Sequence, residues 1–273
     1  MRLLISVDIE GVAGVCHPGQ GQMGNGEYEV ARRLMTQEAN AAIRGALAGG
    51  ATEVIVNDSH GDFRNLLPLH LHPQARLLNG RPRALAMVAG VPLCQALMLV
   101  GYHAKAGAEG VLAHTISGKS FACIQINGVE YGEAALYGSL AGEFGVPVLM
   151  CSGDNVFADE TRAMLPHTAF VVTKQALGQR AALHLSPEAS CAAIEAGAKA
   201  AMQAHLLRPV APVRLEGPIH CKVRAQSVAL ADLFAIAPLV ERVGGTELEF
   251  SGADMHYVVR VLNTLSAMGM GLA

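Results

Sequence analysis

Three apolar runs in the first 103 residues each end on side chains able to bind a metal: RLLISV runs into Asp8-Ile9-Glu10, EVIV into Asn57-Asp58-Ser59-His60, and ALMLVGY into His103. Runs of this kind at residues 2–7, 53–57, 95–101, 147–151 and 168–173 predict β-strands, with helical stretches between them. The rhythm is that of an α/β fold, a mainly parallel sheet flanked by helices. From Glu27 to about Leu47 the residues Val30, Leu34, Ala41, Ala42 and Ala46 keep roughly helical spacing, and Gly49-Gly50 stops the helix. Further helices are expected over Ala134–Phe144, Pro187–His205 and Asp254–Met268.

FACIQI, Asn127-Gly128 and VEYG predict a hairpin, because Asn-Gly supplies the positive φ angles of a type I′ turn. That hairpin delivers Glu133 to a helix start. The Gly-rich stretch Cys16 to Gly26 cannot be regular structure and is either a lid or a surface loop. Past Leu207, the Pro- and Val-rich APVRLEGPIHCKV marks a boundary. The expected division is a metal-binding catalytic α/β domain over 1–207 and a smaller α/β segment over 208–273, packed on the first and involved in assembly.

Composition narrows the function. The chain of 273 residues is 51% hydrophobic, carries a net charge of −3 and lacks Trp and any basic run, which sets nucleic-acid partners aside. No apolar stretch has the length of a membrane span, and the short run before Asp8 is no signal peptide, so a cytoplasmic protein without a membrane partner is expected. Six scattered Cys without a CxxC pair argue against a zinc ribbon or disulfide framework. A mean hydropathy of +0.32 with only 16% charged residues leaves little polar surface for a monomer, and predicts a homo-oligomer.

The carboxyl ends of parallel strands line the ligand crevice of an open α/β sheet, so residues far apart in sequence converge there. Asp8 and Glu10, at i and i+2 on a strand, would point their carboxylates to one face. Asn57 or Asp58 is placed to fix the His60 ring through its second nitrogen. Each residue has a plain alternative: an exposed acidic pair, a loop His, a satisfied core His103, an acid in a first helical turn for Glu133. The conjunction at successive element ends is what favours a site. Mixed imidazole and carboxylate donors suit zinc ahead of manganese or cobalt.

Charge favours two ions, since three carboxylates and a bridging hydroxide offset two divalent cations. Such a pair would lower the pKa of the bridging water and supply hydroxide at neutral pH. His114 is the best unligated candidate for catalysis, at the oxyanion or the leaving amine, against a buried His bonded to backbone. His70 and His72 lie between prolines and read as loop; Asp154 reads as a helix cap and Lys174 as a solvated charge. Walker, GxGxxG and GxSxG motifs are absent.

At SVDIEG, VNDSHG, GYHAKA, AHT and the segment from Asn127-Gly128 to Glu133, the chain resembles the D-aminopeptidase family of binuclear zinc metallopeptidases. The likeness extends through MTQEAN, VPVLMCSGD and TKQALGQRAALHLSP, and is least over 16–26 and 207–249. The resemblance implies that Asp8 bridges two zinc ions per subunit, with Glu10 and His60 on one and His103 and Glu133 on the other. It implies His114 as the catalytic histidine, a decameric ring with active sites facing an inner channel, and removal of an N-terminal D-amino acid from short peptides such as D-Ala-D-Ala. Two other readings keep the same ligands: a metal-dependent amidohydrolase or peptidase acting on L-peptides or other small amides, and a non-catalytic metal-binding oligomeric protein.

Overall fold

The apolar runs form the centre of a seven-stranded sheet in a computed structural model that describes residues 1–272. In chain order the strands are β1 (Arg2–Val7), β2 (Glu53–Asp58), β3 (Ala75–Leu78), β4 (Ala96–Val100), β5 (Phe121–Ile126), β6 (Val129–Glu130), β7 (Val148–Asp154), β8 (Ala169–Gly178), β9 (Ala181–His184), β10 (Ile219–Ala225), β11 (Glu241–Arg242) and β12 (Glu247–Gly252). The helices are α1 (Tyr28–Ala48), α2 (Glu133–Glu143), α3 (Asn155–Arg162), α4 (Pro187–Leu207), α5 (Val228–Phe234) and α6 (Met255–Gly269).

The large sheet has the order β3-β2-β1-β4-β7-β8-β9, and every pairing is parallel except β8 with β9. Its central strands are buried on both faces, which is why they read as continuous apolar runs rather than alternating ones. Helices α1 and α4 cover one face, and a Cβ on Gly45 would come within 2.2 Å of the Glu195 carbonyl, so only glycine allows the two helices to approach this closely. Helices α2 and α6 pack on the other face, in a core shared with a second sheet.

That second sheet is antiparallel, with order β11-β12-β10-β5-β6. Its middle strand alternates strictly, with Ile219, Cys221, Val223 and Ala225 inward and His220 and Arg224 outward. It joins the 121–130 hairpin to strands beyond residue 207, so the C-terminal segment shares a sheet with the hairpin that leads into Glu133. Asn127 and Gly128 have φ of 51° and 82°, the signs of the type I′ turn. Among the described residues no helix is long and apolar enough to cross a membrane, and all six cysteines are free thiols.

At the carboxyl edge of the large sheet the backbones are in tight contact. A Cβ on Gly11 would lie 1.9 Å from the Tyr102 carbonyl oxygen, and one on Gly101 would lie 2.3 Å from that of Asp8. Gly101 also takes φ +72°, which suits glycine. This edge cannot yield by moving a side chain, because the colliding atoms are backbone. Gly11→Ala is expected to cost at least about 2 kcal/mol in urea unfolding, and unchanged stability would show that the edge is looser than described.

Candidate metal centre

Asp8, Glu10, His60 and His103 follow the carboxyl ends of β1, β2 and β4, and Glu133 opens α2 behind its N-cap Gly132. The structure brings all five together. The acidic pair does not sit on a strand as its spacing suggests: β1 ends at Val7, Asp8 N–H still donates to the Val100 carbonyl, and the chain then bends at Ile9 and turns at Glu10. The turn is set by Gly11, whose N–H donates to the Gly101 carbonyl at 2.8 Å, and by Lys174.

Lys174 corrects the expectation of a solvated charge. It is only 2% exposed, and its ammonium donates to the carbonyls of Glu10, Val12 and Val15 at 2.5, 2.9 and 2.6 Å. All three of its donors therefore clasp the loop that carries Glu10. Nearby Glu38 accepts from the Ala13 N–H and from the Ser190 hydroxyl, fixing the same loop from α1. The sequence offers no signal for Glu38, and Lys174 falls just past the 168–173 run, whereas β8 continues through it to Gly178.

The two oxygens of Asp8 face different partners. Oδ1 lies 3.2 Å from His60 Nδ1, which is also 3.0 Å from Glu10 Oε2. Oδ2 lies 3.5 Å from His103 Nε2, which is also 3.4 Å from Glu133 Oε2. His103 Nε2 is buried and, among the described residues, has no hydrogen-bond partner. Its ring is not the satisfied core histidine that was the plain alternative. A nitrogen and an oxygen each about 2.0–2.2 Å from one tetrahedral ion stand about 3.3–3.5 Å apart, the spacing found around His103. The residues present fit a zinc ion here.

The second nitrogens set the tautomers. His103 Nδ1–H donates to the Ala104 carbonyl at 3.0 Å, and His60 Nε2–H donates to the Gly21 carbonyl at 2.8 Å. Each leaves its other nitrogen for the centre. The partner of His60 is therefore the Gly-rich loop, not Asn57 or Asp58. Asn57 Nδ2 donates to Ser59 and Met87 instead, and Asp58 accepts from Asn65 and Leu66. The loop packs against the site, with a short 3₁₀ turn at Pro18–Gly21 capped by His17. His114 stacks on His103 with ring centroids 4.1 Å apart, and its Nδ1–H donates to the Leu112 carbonyl at 2.9 Å. Its Nε2 is 3.7 Å from Glu133 Oε1, the outlying member of the group. Asp154 caps α3 through Phe157 N and also accepts from Val111 N, pinning the loop before His114. His70 is exposed and His72 accepts from Gln74 N; neither approaches the centre.

The model of the peptidase M55, D-aminopeptidase, family matches residues 1–264. The chain is 32% identical over 274 residues to a D-aminopeptidase of Bacillus subtilis (strain 168), across 99% of this chain and 98% of that one. It superposes with a TM-score of 0.94, at 30% identity over 99% of this chain and 98% of the other, on a structure described as the Zn-dependent D-aminopeptidase DppA from Bacillus subtilis, a self-compartmentalizing protease. The chain belongs to the D-aminopeptidase family.

The titration of this peptidase's site follows from crowding charges away from water. Burial raises Asp8, and the neighbouring Glu10 charge adds to it. Burial also pushes Glu10 up, but the charge and hydrogen bond of His60, with His114 and His103, outweigh it and hold Glu10 well below the usual carboxylate range. Burial would lower both imidazoles, yet Glu10 and Asp8 hold His60, and Glu133 and Asp8 hold His103, well above the ordinary histidine value. Glu133 is lowered against its burial by His103 and His114. Further out, burial takes Glu38 up to about 7 and Lys174 down to about 8.

The neighbouring carboxylates thus hold the His60 and His103 protons more tightly than an ordinary histidine does, so zinc bound through these nitrogens would compete with protons. Calorimetric zinc titrations in buffers of different ionisation enthalpy should show release of about one to two protons per chain, with apparent affinity rising as pH rises toward the raised imidazole values. A pH-independent affinity with no proton release would contradict this protonation pattern. Lys174→Met leaves three buried carbonyls unpaired and is expected to cost at least about 2 kcal/mol in urea unfolding and to weaken zinc binding. Wild-type zinc affinity in that variant would separate the clasp from the centre.

Proposed function

We propose that this chain is a zinc-dependent aminopeptidase that removes the N-terminal D-amino acid of short peptides of the D-Ala-D-Ala type, using two zinc ions per subunit. One observation carries the proposal: the two oxygens of Asp8 face two separate imidazole–carboxylate pairs, Glu10 with His60 and His103 with Glu133. Five residues thus provide two adjoining binding positions with one shared carboxylate. The zinc-dependent Bacillus relative, similar over the full length, supports the choice of metal and of D-peptides.

When bound, zinc supplies Lewis acidity, polarising the scissile carbonyl and bringing the pKa of water toward neutrality. The chain's own residues do the rest. Asp8, Glu10 and Glu133, each at most 7% exposed, would offset the cationic charge at the floor of the cavities. The Ala104 and Gly21 carbonyls hold the two ligand rings in orientation. His114 is partly exposed, and the Leu112 carbonyl fixes its proton on Nδ1, leaving Nε2 to take up a proton and pass it to the leaving amine.

Assembly as a homo-oligomer, a decamer with active sites on an inner channel and the 208–273 segment taking part, belongs to the same proposal, as does a cytoplasmic place. The exposed Leu177, Leu183 and Leu185 on and just past the β8–β9 hairpin are apolar surface at a sheet edge that a neighbouring subunit would cover.

An amine-release assay with D-Ala-D-Ala and L-Ala-L-Ala tests the reading on protein as isolated, after chelation and after zinc is restored. Zinc-restored turnover of the D-peptide alone is expected. Turnover of only the L-peptide would remove the stereochemical claim, and turnover of neither would remove the peptidase reading. His114→Ala should lose about 10²–10⁴-fold in kcat while zinc content stays at the wild-type level. Wild-type kcat would remove His114 from the chemistry.

A further inference from the structure

The centre lies where two cavities meet, since His60 and His114 line both. One is a wide groove of 750 Å³ along the 106–122 loop and the Pro18–Gly21 turn. The other has 290 Å³, is lined by Asp8 and Glu133 on the metal side, and is backed by Arg83, Tyr137, Asn263 and Met270. At the small end of ligand pockets, which run about 300–1,000 Å³, it suits one small residue. A peptide lying across the centre has room for one half in each cavity.

Arg83 gives the smaller cavity its polarity. The guanidinium stacks on Phe63, 4.0 Å from the ring centroid, and donates to the carbonyls of Asp58 and Leu78 at 2.6 and 3.2 Å and to Asn57 Oδ1 at 3.3 Å. Every acceptor is a neutral oxygen. Among the described residues no carboxylate forms an ion pair with it, whereas neighbouring Arg81 is paired to Asp62 at 2.6 Å. Asn263 faces the same cavity from α6, accepts from the Tyr137 hydroxyl through Oδ1 at 3.2 Å, and has an amide nitrogen without an acceptor. The Asp58 carboxylate behind Arg83 offsets part of its charge but accepts from Asn65 and Leu66 and does not line the cavity, so with the three acidic ligands offset by metal the charge facing this cavity is positive. An ammonium is disfavoured there and a carboxylate is favoured.

We propose that Arg83, with Asn263 opposite, forms the subsite for the C-terminal carboxylate of the substrate, so that the leaving amino acid occupies the 290 Å³ cavity and the N-terminal residue lies toward the wide groove. This rests on the peptidase reading above and adds selection for a free carboxylate on the residue next to the scissile bond. The exposed Lys119 and Arg180 of the wide groove are open to solvent and do not define a comparable site.

The test compares kcat/KM of zinc-loaded protein on D-Ala-D-Ala and on its C-terminal amide. Wild type should favour the free acid by about tenfold or more, the scale of one charge-assisted contact. In Arg83→Gln the acid-to-amide ratio should fall toward one. Because Arg83 also ties down the end of β2, Asn263→Asp gives an independent variant, placing a carboxylate in the cavity that should lower the same ratio. A wild-type ratio near one, or a ratio unchanged in both variants, overturns the subsite. Calorimetry with N-acetyl-D-alanine and its amide separates this from failure of the peptidase reading. If neither peptide is cleaved, that reading falls, yet the acid should still bind wild type at least about tenfold more tightly than Arg83→Gln. Direct ligation of zinc by the acid would be equal in the two proteins, and equal affinity would therefore refute the role of Arg83.

Discussion

Three carboxylates and two imidazoles, all largely buried, share one small volume where two cavities meet, and the rest of the molecule is arranged around that constraint. Left alone, such a cluster would be split by repulsion and desolvation. His60 lies between Asp8 and Glu10, and His103 between Asp8 and Glu133, so protons on these imidazoles or bound metal would each offset the acidic charge. The orphaned Nε2 of His103 shows how little else in the neighbourhood is available to satisfy it.

Holding five such groups this close together requires a rigid backbone, and the fold supplies rigidity from two directions. The parallel sheet brings β1, β2 and β4 to one edge, where Gly11 and Gly101 let the chain ends touch backbone to backbone. The antiparallel sheet brings Glu133 in from the opposite side, through the Asn127-Gly128 turn and the short β6, which leads by Tyr131-Gly132 into the N-terminus of α2. Lys174 then fixes the turn between Asp8 and Glu10 by hydrogen bonds to carbonyls alone. It pins the backbone while leaving the carboxylates free for the centre. Arg83 repeats the device at the end of β2, with a cationic side chain held by neutral oxygens.

Much of this was legible in the sequence, and the reason is local. Buried parallel strands are short unbroken apolar runs, so β1, β2, β4 and β7 stand out, and a polar residue directly after such a run lies at the sheet edge whatever the tertiary details. The Asn127-Gly128 turn and the glycine stop after α1 are equally local signals. What could not be read depends on contacts between distant segments. Lys174 looks like any strand-end cation until β8 is laid beside β7 and its ammonium falls beneath the Glu10 loop. The bend between Asp8 and Glu10, the choice of Gly21 rather than Asn57 to orient His60, and the joining of β10 to β5 across residue 207 all depend on packing that no window of sequence contains.

The account rests most heavily on Asp8 serving both halves of the centre. Anomalous diffraction at the zinc edge from zinc-loaded crystals tests this directly. Two peaks per subunit, about 3.5–4 Å apart with Asp8 Oδ1 on one and Oδ2 on the other, are predicted. A single peak, or two peaks of which Asp8 touches only one, would contradict the shared-carboxylate centre.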